Sequence, residues 1–141
     1  MIDNSDKLAV IFGLRNERSI AFSIAMRLKE SGCKLAFTYT KDTKEDVLNV
    51  MKQHELNIRY TAEVDVKDEE QISTFLGKIH AELGPISYLL HAVAYGSQQV
   101  MCSTFYGSKK EPSRYLDIPF DELVDSFNIS AYSLLRICRV A

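Results

Sequence analysis

The 141 residues contain few cysteines, few glycines, no long apolar run and no marked excess of either charge. The three cysteines, Cys33, Cys102 and Cys138, are odd in number and widely spaced. That spacing fits neither a disulfide framework nor a zinc cluster, and it points to reduced, packing thiols in a cytoplasmic protein. Lys and Arg total 17 against 19 Asp and Glu, mixed without a basic block. Neither nucleic acid nor an anionic membrane is therefore an expected partner. No stretch approaches membrane-spanning length, and Met1–Asp6 lacks the basic and apolar regions of a signal peptide. His54, His80 and His91 do not form ligand spacing, so no metal is expected. What is left is a soluble chain with a single core, acting on a small ligand.

Against those absences stands a regular alternation. Lys7–Phe12 and Lys34–Tyr39 are short apolar runs that read as strands buried on two faces. Between them Ile20, Ile24 and Leu28 recur every four residues, with Ala21 and Ala25 beside them, and Ser31-Gly32 supplies a stop. Val47, Val50 and Met51 mark a second helix. Residues 57–66 read as a third strand, and Ile72, Phe75, Leu76 and Ile79 as a third helix ending near Gly84-Pro85. Ile86–Val93 reads as a fourth buried strand. After a long polar stretch to Pro119, the residues Phe120, Leu123, Val124, Phe127, Ala131, Leu134, Leu135 and Cys138 follow helical spacing. Strands alternating with helices predict a parallel sheet with right-handed crossovers, hence a Rossmann-like, doubly wound α/β/α fold. Four strands make the first half of such a sheet. The expectation is one dinucleotide-binding domain over residues 1–141, cut before its second half.

The first strand-to-helix connection, VIFGLRNERSIA from Val10 to Ala21, holds one glycine, so the ordinary G-x-G-x-x-G fingerprint is missing. The connection is nevertheless long and charged, as though something occupies the turn. Gly13 stands where backbone must turn tightly or meet a phosphate, and Ser19 can offer a hydroxyl and cap the helix. The second strand ends in Thr40-Lys41-Asp42. A neutral residue followed by Lys41, with Arg15 or Arg18 nearby, leaves room for a ribose 2'-phosphate and tilts the expectation from NADH toward NADPH, although Asp42 opposes it. At the third strand end Asp65 could accept from an adenine amino group and Val66 could flank the ring, or Asp65 could simply begin a turn. The small residues Ala92 and Ala94 around Val93 would let a cofactor lie against the fourth strand end.

Gly13 with Ser19-Ile20-Ala21, Leu35–Tyr39, Asp65-Val66, His91–Tyr95 and Ile129–Ser133 together resemble the enoyl-acyl-carrier-protein reductases of the short-chain dehydrogenase superfamily. The resemblance implies NADH- or NADPH-dependent reduction of enoyl thioesters carried on acyl carrier protein, in fatty acid biosynthesis. It implies Gly13, Ser19 and Ile20 at the pyrophosphate, Thr40 at the adenosine ribose and Asp65 and Val66 at the adenine. It also implies Val93 near the nicotinamide, and Tyr95 and Gly96 beside the acyl substrate. Ala92 and Ala94 depart from the family's usual Ser and Gly, and the stretch after Gly96 is longer than usual. The family's helix corresponding to 120–138 contributes to a dimer or tetramer interface, so a homo-oligomer is expected.

Such reductases use a Tyr and a Lys separated by six residues after the fifth strand. That pair is absent from these 141 residues, so no catalytic residue is assigned and the chain alone is expected to be inactive. Tyr60 with Lys67 has the spacing but sits around the third strand. Tyr106 with Lys110 imitates another spacing but precedes the fourth helix. Two alternatives stay open: a non-catalytic dinucleotide-binding module, and a short-chain reductase acting on a carbonyl or ketoacyl substrate.

Overall fold

The computed structural model describes residues 2–97, 101 and 118–141. The elements run β1 (Leu8–Phe12), α1 (Ile20–Glu30), β2 (Lys34–Tyr39), α2 (Lys44–Gln53), β3 (Ile58–Glu63), α3 (Glu69–Leu83) and β4 (Tyr88–His91). They continue with α4 (Phe120–Phe127), a π turn (Asn128–Tyr132) and α5 (Ser133–Val140). The four strands form one parallel sheet in the order β3-β2-β1-β4. The chain steps outward from β1 through β2 to β3, then returns to the other side of β1. The topological switch point therefore lies between β1 and β4, where parallel sheets bind ligands beyond their strand ends.

Alternation along β1 explains the three layers. Ala9 and Ile11 join Leu35 and Phe37 in a cluster with Ala21, Ala25, Val47 and Met51, so α1 and α2 cover one face. Leu8, Val10 and Phe12 point the other way, into Ile72, Phe75, Leu76 and Ile79 of α3 and Ile137 of α5. The Phe12 and Phe75 rings meet edge to face at 5.8 Å. Every residue of β1 is 2% exposed or less, as expected for a central strand covered on both faces. Asp68 caps α3, accepting from the backbone N–H groups of Glu70 and Gln71.

Several expectations are corrected. Ile20 and Ile24 do not form the buried face of α1: Ile20 is 76% exposed, and the helix docks through Ala21 and Ala25, both fully buried. Alanines let the helix axis approach the sheet closely, which pushes the larger residues to the flanks. β3 is shorter than the predicted 57–66, and as an outer strand it is only half-buried. β4 is shorter than Ile86–Val93 and likewise half-buried, with Tyr88 exposed, because no further strand flanks it among the described residues. The last helical stretch is interrupted by the π turn. Its predicted apolar stripe, Phe120, Leu123, Val124, Phe127, Ala131, Leu134, Leu135 and Cys138, faces outward, while Ser126, Ser133 and Ile137 are buried. Most of the long stretch before Pro119, with Cys102, Tyr106 and Lys110, lies outside the described residues.

Candidate functional site

The predicted site residues gather along the carboxyl edge of the sheet. Gly13 follows β1 with φ +95°, a conformation that side-chain-bearing residues rarely adopt. A Cβ built there would lie 2.2 Å from the Ala92 carbonyl oxygen. The glycine thus serves a contact inside the protein: it lets the turn after β1 lie against the Ala92-Val93 peptide at the end of β4. Ala92 N–H also donates to Phe12 O at 2.9 Å. Leu14, 2% exposed, returns the chain to the α1/α2 face before the exposed residues Arg15 to Arg18.

Asn16 organises that charged loop. Its carbonyl accepts from Ser19 N–H and from Ser19 Oγ at 2.6 Å, and its Oδ1 accepts from Arg18 N–H. Ser19 occupies the N-cap position of α1 but, contrary to expectation, makes no side-chain cap bond; its hydroxyl donates back to Asn16 O instead. Glu17 is bound to His54 Nε2 at 2.8 Å, and the His54 ring packs on Phe22 of α1. The loop is therefore tied to the end of α2. Beside it a groove of about 340 Å³ is lined by Asn16, Glu17, Arg18, Asp46, Asn49 and Gln53. It lies outside the sheet edge and includes neither Gly13 nor Val93.

Thr40 follows β2 and turns back on itself: its N–H donates to Thr43 Oγ1 at 3.0 Å, and the two hydroxyls are 3.1 Å apart. Lys41 and Asp42 are exposed in this short turn. Lys44, which sequence reading did not single out, lies over the Tyr39 ring. At the end of β3 the Asp65 carboxylate accepts from Lys67 N–H, while Asp65 N–H donates to Gln71 Oε1. Asp65 thus builds the turn into α3, the simpler of its two readings, and its side of the chain stays exposed. Val66 is 8% exposed, its side chain in the core on the α3 face.

At the end of β4 Ala92 and Val93 pack against opposite faces of the sheet, and Ala94 and Tyr95 are exposed. Two hydroxyls from the last helical stretch pin this segment. Ser130 Oγ donates to Tyr95 O and accepts from Tyr95 N–H. Ser133 Oγ donates to Ile129 O, so His91 Nε2–H donates to Ser133, at 2.7 Å. Burial holds His91 below the ordinary histidine range. Ser130 and Ser133 were missed as site residues because their partners are more than thirty residues away.

A parallel 3-2-1-4 sheet with a positive-φ glycine at its switch point defines the first half of a Rossmann-like nucleotide fold. The family model described as "Enoyl-(Acyl carrier protein) reductase" matches residues 13–141. A relative from Rickettsia typhi, "Enoyl-[acyl-carrier-protein] reductase [NADH] FabI", is 29% identical over 135 residues, covering 96% of this chain and 48% of its own length. A Staphylococcus aureus relative described as the NADPH form is 28% identical over 112 residues, covering 79% of this chain and 44% of its own. The Bacillus cereus enoyl-acyl carrier protein reductase, solved with NADP+ and indole naphthyridinone, superposes with a TM-score of 0.84 at 28% identity, covering 100% of this chain and 51% of its own. The chain belongs to the enoyl-acyl-carrier-protein reductase family, and it spans about half the length of these relatives.

Proposed function

We propose that this chain binds NADH or NADPH along the carboxyl edge of its sheet and forms the cofactor-binding portion of an enzyme that reduces enoyl thioesters carried on acyl carrier protein. The observation that carries the reading is the switch-point turn, where Gly13 meets the end of β4, in a chain whose family is that of enoyl-acyl-carrier-protein reductases. The residues present suit a dinucleotide. Ser19 makes no side-chain cap bond to α1, so the N–H groups of Ile20 and Ala21 at its start have no side-chain cap, which suits a pyrophosphate. Ile20, exposed at the helix start, and the small Ala92 and Ala94 leave room for a flat ligand against the backbone.

In this reading the main chain at Gly13, with Ser19 and Ile20, meets the pyrophosphate, Thr40 the adenosine ribose, and Asp65 with the main chain of Val66, whose side chain is buried in the core, the adenine side. Ala92, Val93 and Ala94 border the nicotinamide, and Tyr95 and Gly96 border the acyl chain. The bound nicotinamide supplies the hydride for the β-carbon of the enoyl thioester. Lys41 and Arg15 favour NADPH by offering cations to a 2'-phosphate. A cytoplasmic setting fits the free Cys33 and the supply of reduced cofactor. Association into a homodimer or homotetramer through the outward apolar face of α4 and α5 fits its exposure, with Phe127 62% and Leu135 59% exposed.

The test is a titration of the intact protein with NADH and NADPH, followed by turnover of a trans-2-enoyl thioester. Binding of either cofactor with enoyl reduction supports the reading. Binding with reduction of a ketoacyl thioester alone would reassign the substrate. Absence of binding would remove the site.

A further inference from the structure

Arg136, half-buried in α5, reaches in two directions. Its Nη1 donates to Val66 O at 3.3 Å, at the end of β3, and its Nη2 donates to Asn128 Oδ1 at 2.6 Å, at the start of the π turn. The guanidinium lies 4.7 Å from the Tyr132 ring centroid, which restricts its plane. We propose that Arg136 is a positioning residue that holds the adenine side and the β4-end segment of the crevice in one fixed relation. The proposal rests on the dinucleotide reading above.

A continuous set of bonds supports it. Asn128 opens the π turn, and Ser130 within that turn makes the two bonds to the Tyr95 backbone. A π turn is a wider ring than an α turn, and a side chain bonded to its first residue resists its slipping back to α spacing. One arm of Arg136 therefore sets the residue that leads to Tyr95, and the other sets the Val66 carbonyl beside Asp65. Lys67–Asp125 at 3.8 Å and Arg139–Glu69 at 3.3 Å also tie the start of α3 and the turn before it to the last helical stretch, but neither reaches the β4-end segment, and both pairs are exposed and contribute little. The docking of α5 itself does not need Arg136: Ile137, fully buried, and Ile129 and Val140 packed on the same core hold the helix down. Losing the guanidinium should thus loosen two segments without unfolding the protein. Lysine cannot replace it, because a single ammonium lacks the planar fork that reaches acceptors on two elements.

The experiment compares Arg136→Met and Arg136→Lys with the parent protein by amide hydrogen exchange, and by titration with NADH or NADPH. In Arg136→Met, exchange should rise about ten-fold in residues 64–68 and 93–97 while α1 and α2 stay unchanged, and the dinucleotide Kd should rise about ten-fold. Arg136→Lys should restore protection in one segment and not both. Unchanged exchange, or a rise shared by α1 and α2, would overturn the proposal, as would lysine restoring both segments. If the parent protein binds neither cofactor, the dinucleotide reading fails, while the exchange pattern still decides whether Arg136 bridges the two segments.

Discussion

Gly13 shows how a residue can be required for a reason other than its most obvious one. Its place after β1 suggests a phosphate contact, yet the space it keeps open is filled by the Ala92 carbonyl. Gly13→Ala should strain the positive-φ turn and force apart the ends of β1 and β4, costing roughly 2–4 kcal/mol. A denaturant melt would show it, and dinucleotide affinity should fall with it. His91 makes a second prediction. Its folded form takes up a proton less readily than the unfolded chain, because burial penalises the imidazolium. Its contribution is therefore complete above the ordinary histidine pKa, about 6.5, and is lost as pH falls through the lowered folded value. The melting temperature should drop as pH falls below about 6.5. His91→Gln, which keeps a donor for Ser133, should flatten that part of the profile.

At the scale of elements, α1 separates what periodicity reveals from what packing requires. Ile20, Ile24 and Leu28 have helical spacing, but of these only Leu28 packs against the core, and it is Ala21 and Ala25 that are fully buried there. Ala25→Leu should therefore destabilise by roughly 1–3 kcal/mol through overpacking. Ile24→Gln should cost less than about 1 kcal/mol, since Ile24 lies on the outer flank at 36% exposure. Thermal melts of the two variants would rank them, and the reverse order would refute the assignment of the buried face. The last helical stretch makes the same point more strongly. Its clearest apolar stripe is turned outward, whereas the serines Ser126 and Ser133 lie inward because their hydroxyls bond carbonyls one turn back.

For the molecule as a whole, that outward stripe is the largest departure from a self-contained core. Phe120, Leu123, Phe127 and Leu135 are each more than half exposed. If this face pairs copies of the protein, a double Phe127→Asp, Leu135→Asp variant should sediment as a smaller species than the parent at equal concentration. It should keep its far-ultraviolet circular dichroism, because neither side chain is buried. Sedimentation identical to that of the parent protein would mean that the face serves another purpose. No helix among the described residues is long and apolar enough to cross a membrane.

Much of the fold was legible in the chain because parallel strands covered on both faces need unbroken apolar runs. Leu8–Phe12 and Lys34–Tyr39 announced themselves in that way, as did the buried positions of α2 and α3. The sequence by itself therefore determined the α/β alternation, the order of the turns and the family to which they belong. Which face of α1 and of the last helix is buried was decided only in three dimensions, because spacing defines a stripe but not the partner it meets. The same holds for the contacts that shape the crevice. Gly13 against Ala92, Ser130 against Tyr95 and Arg136 between Val66 and Asn128 join residues that meet only once the sheet has formed and α5 has docked across it.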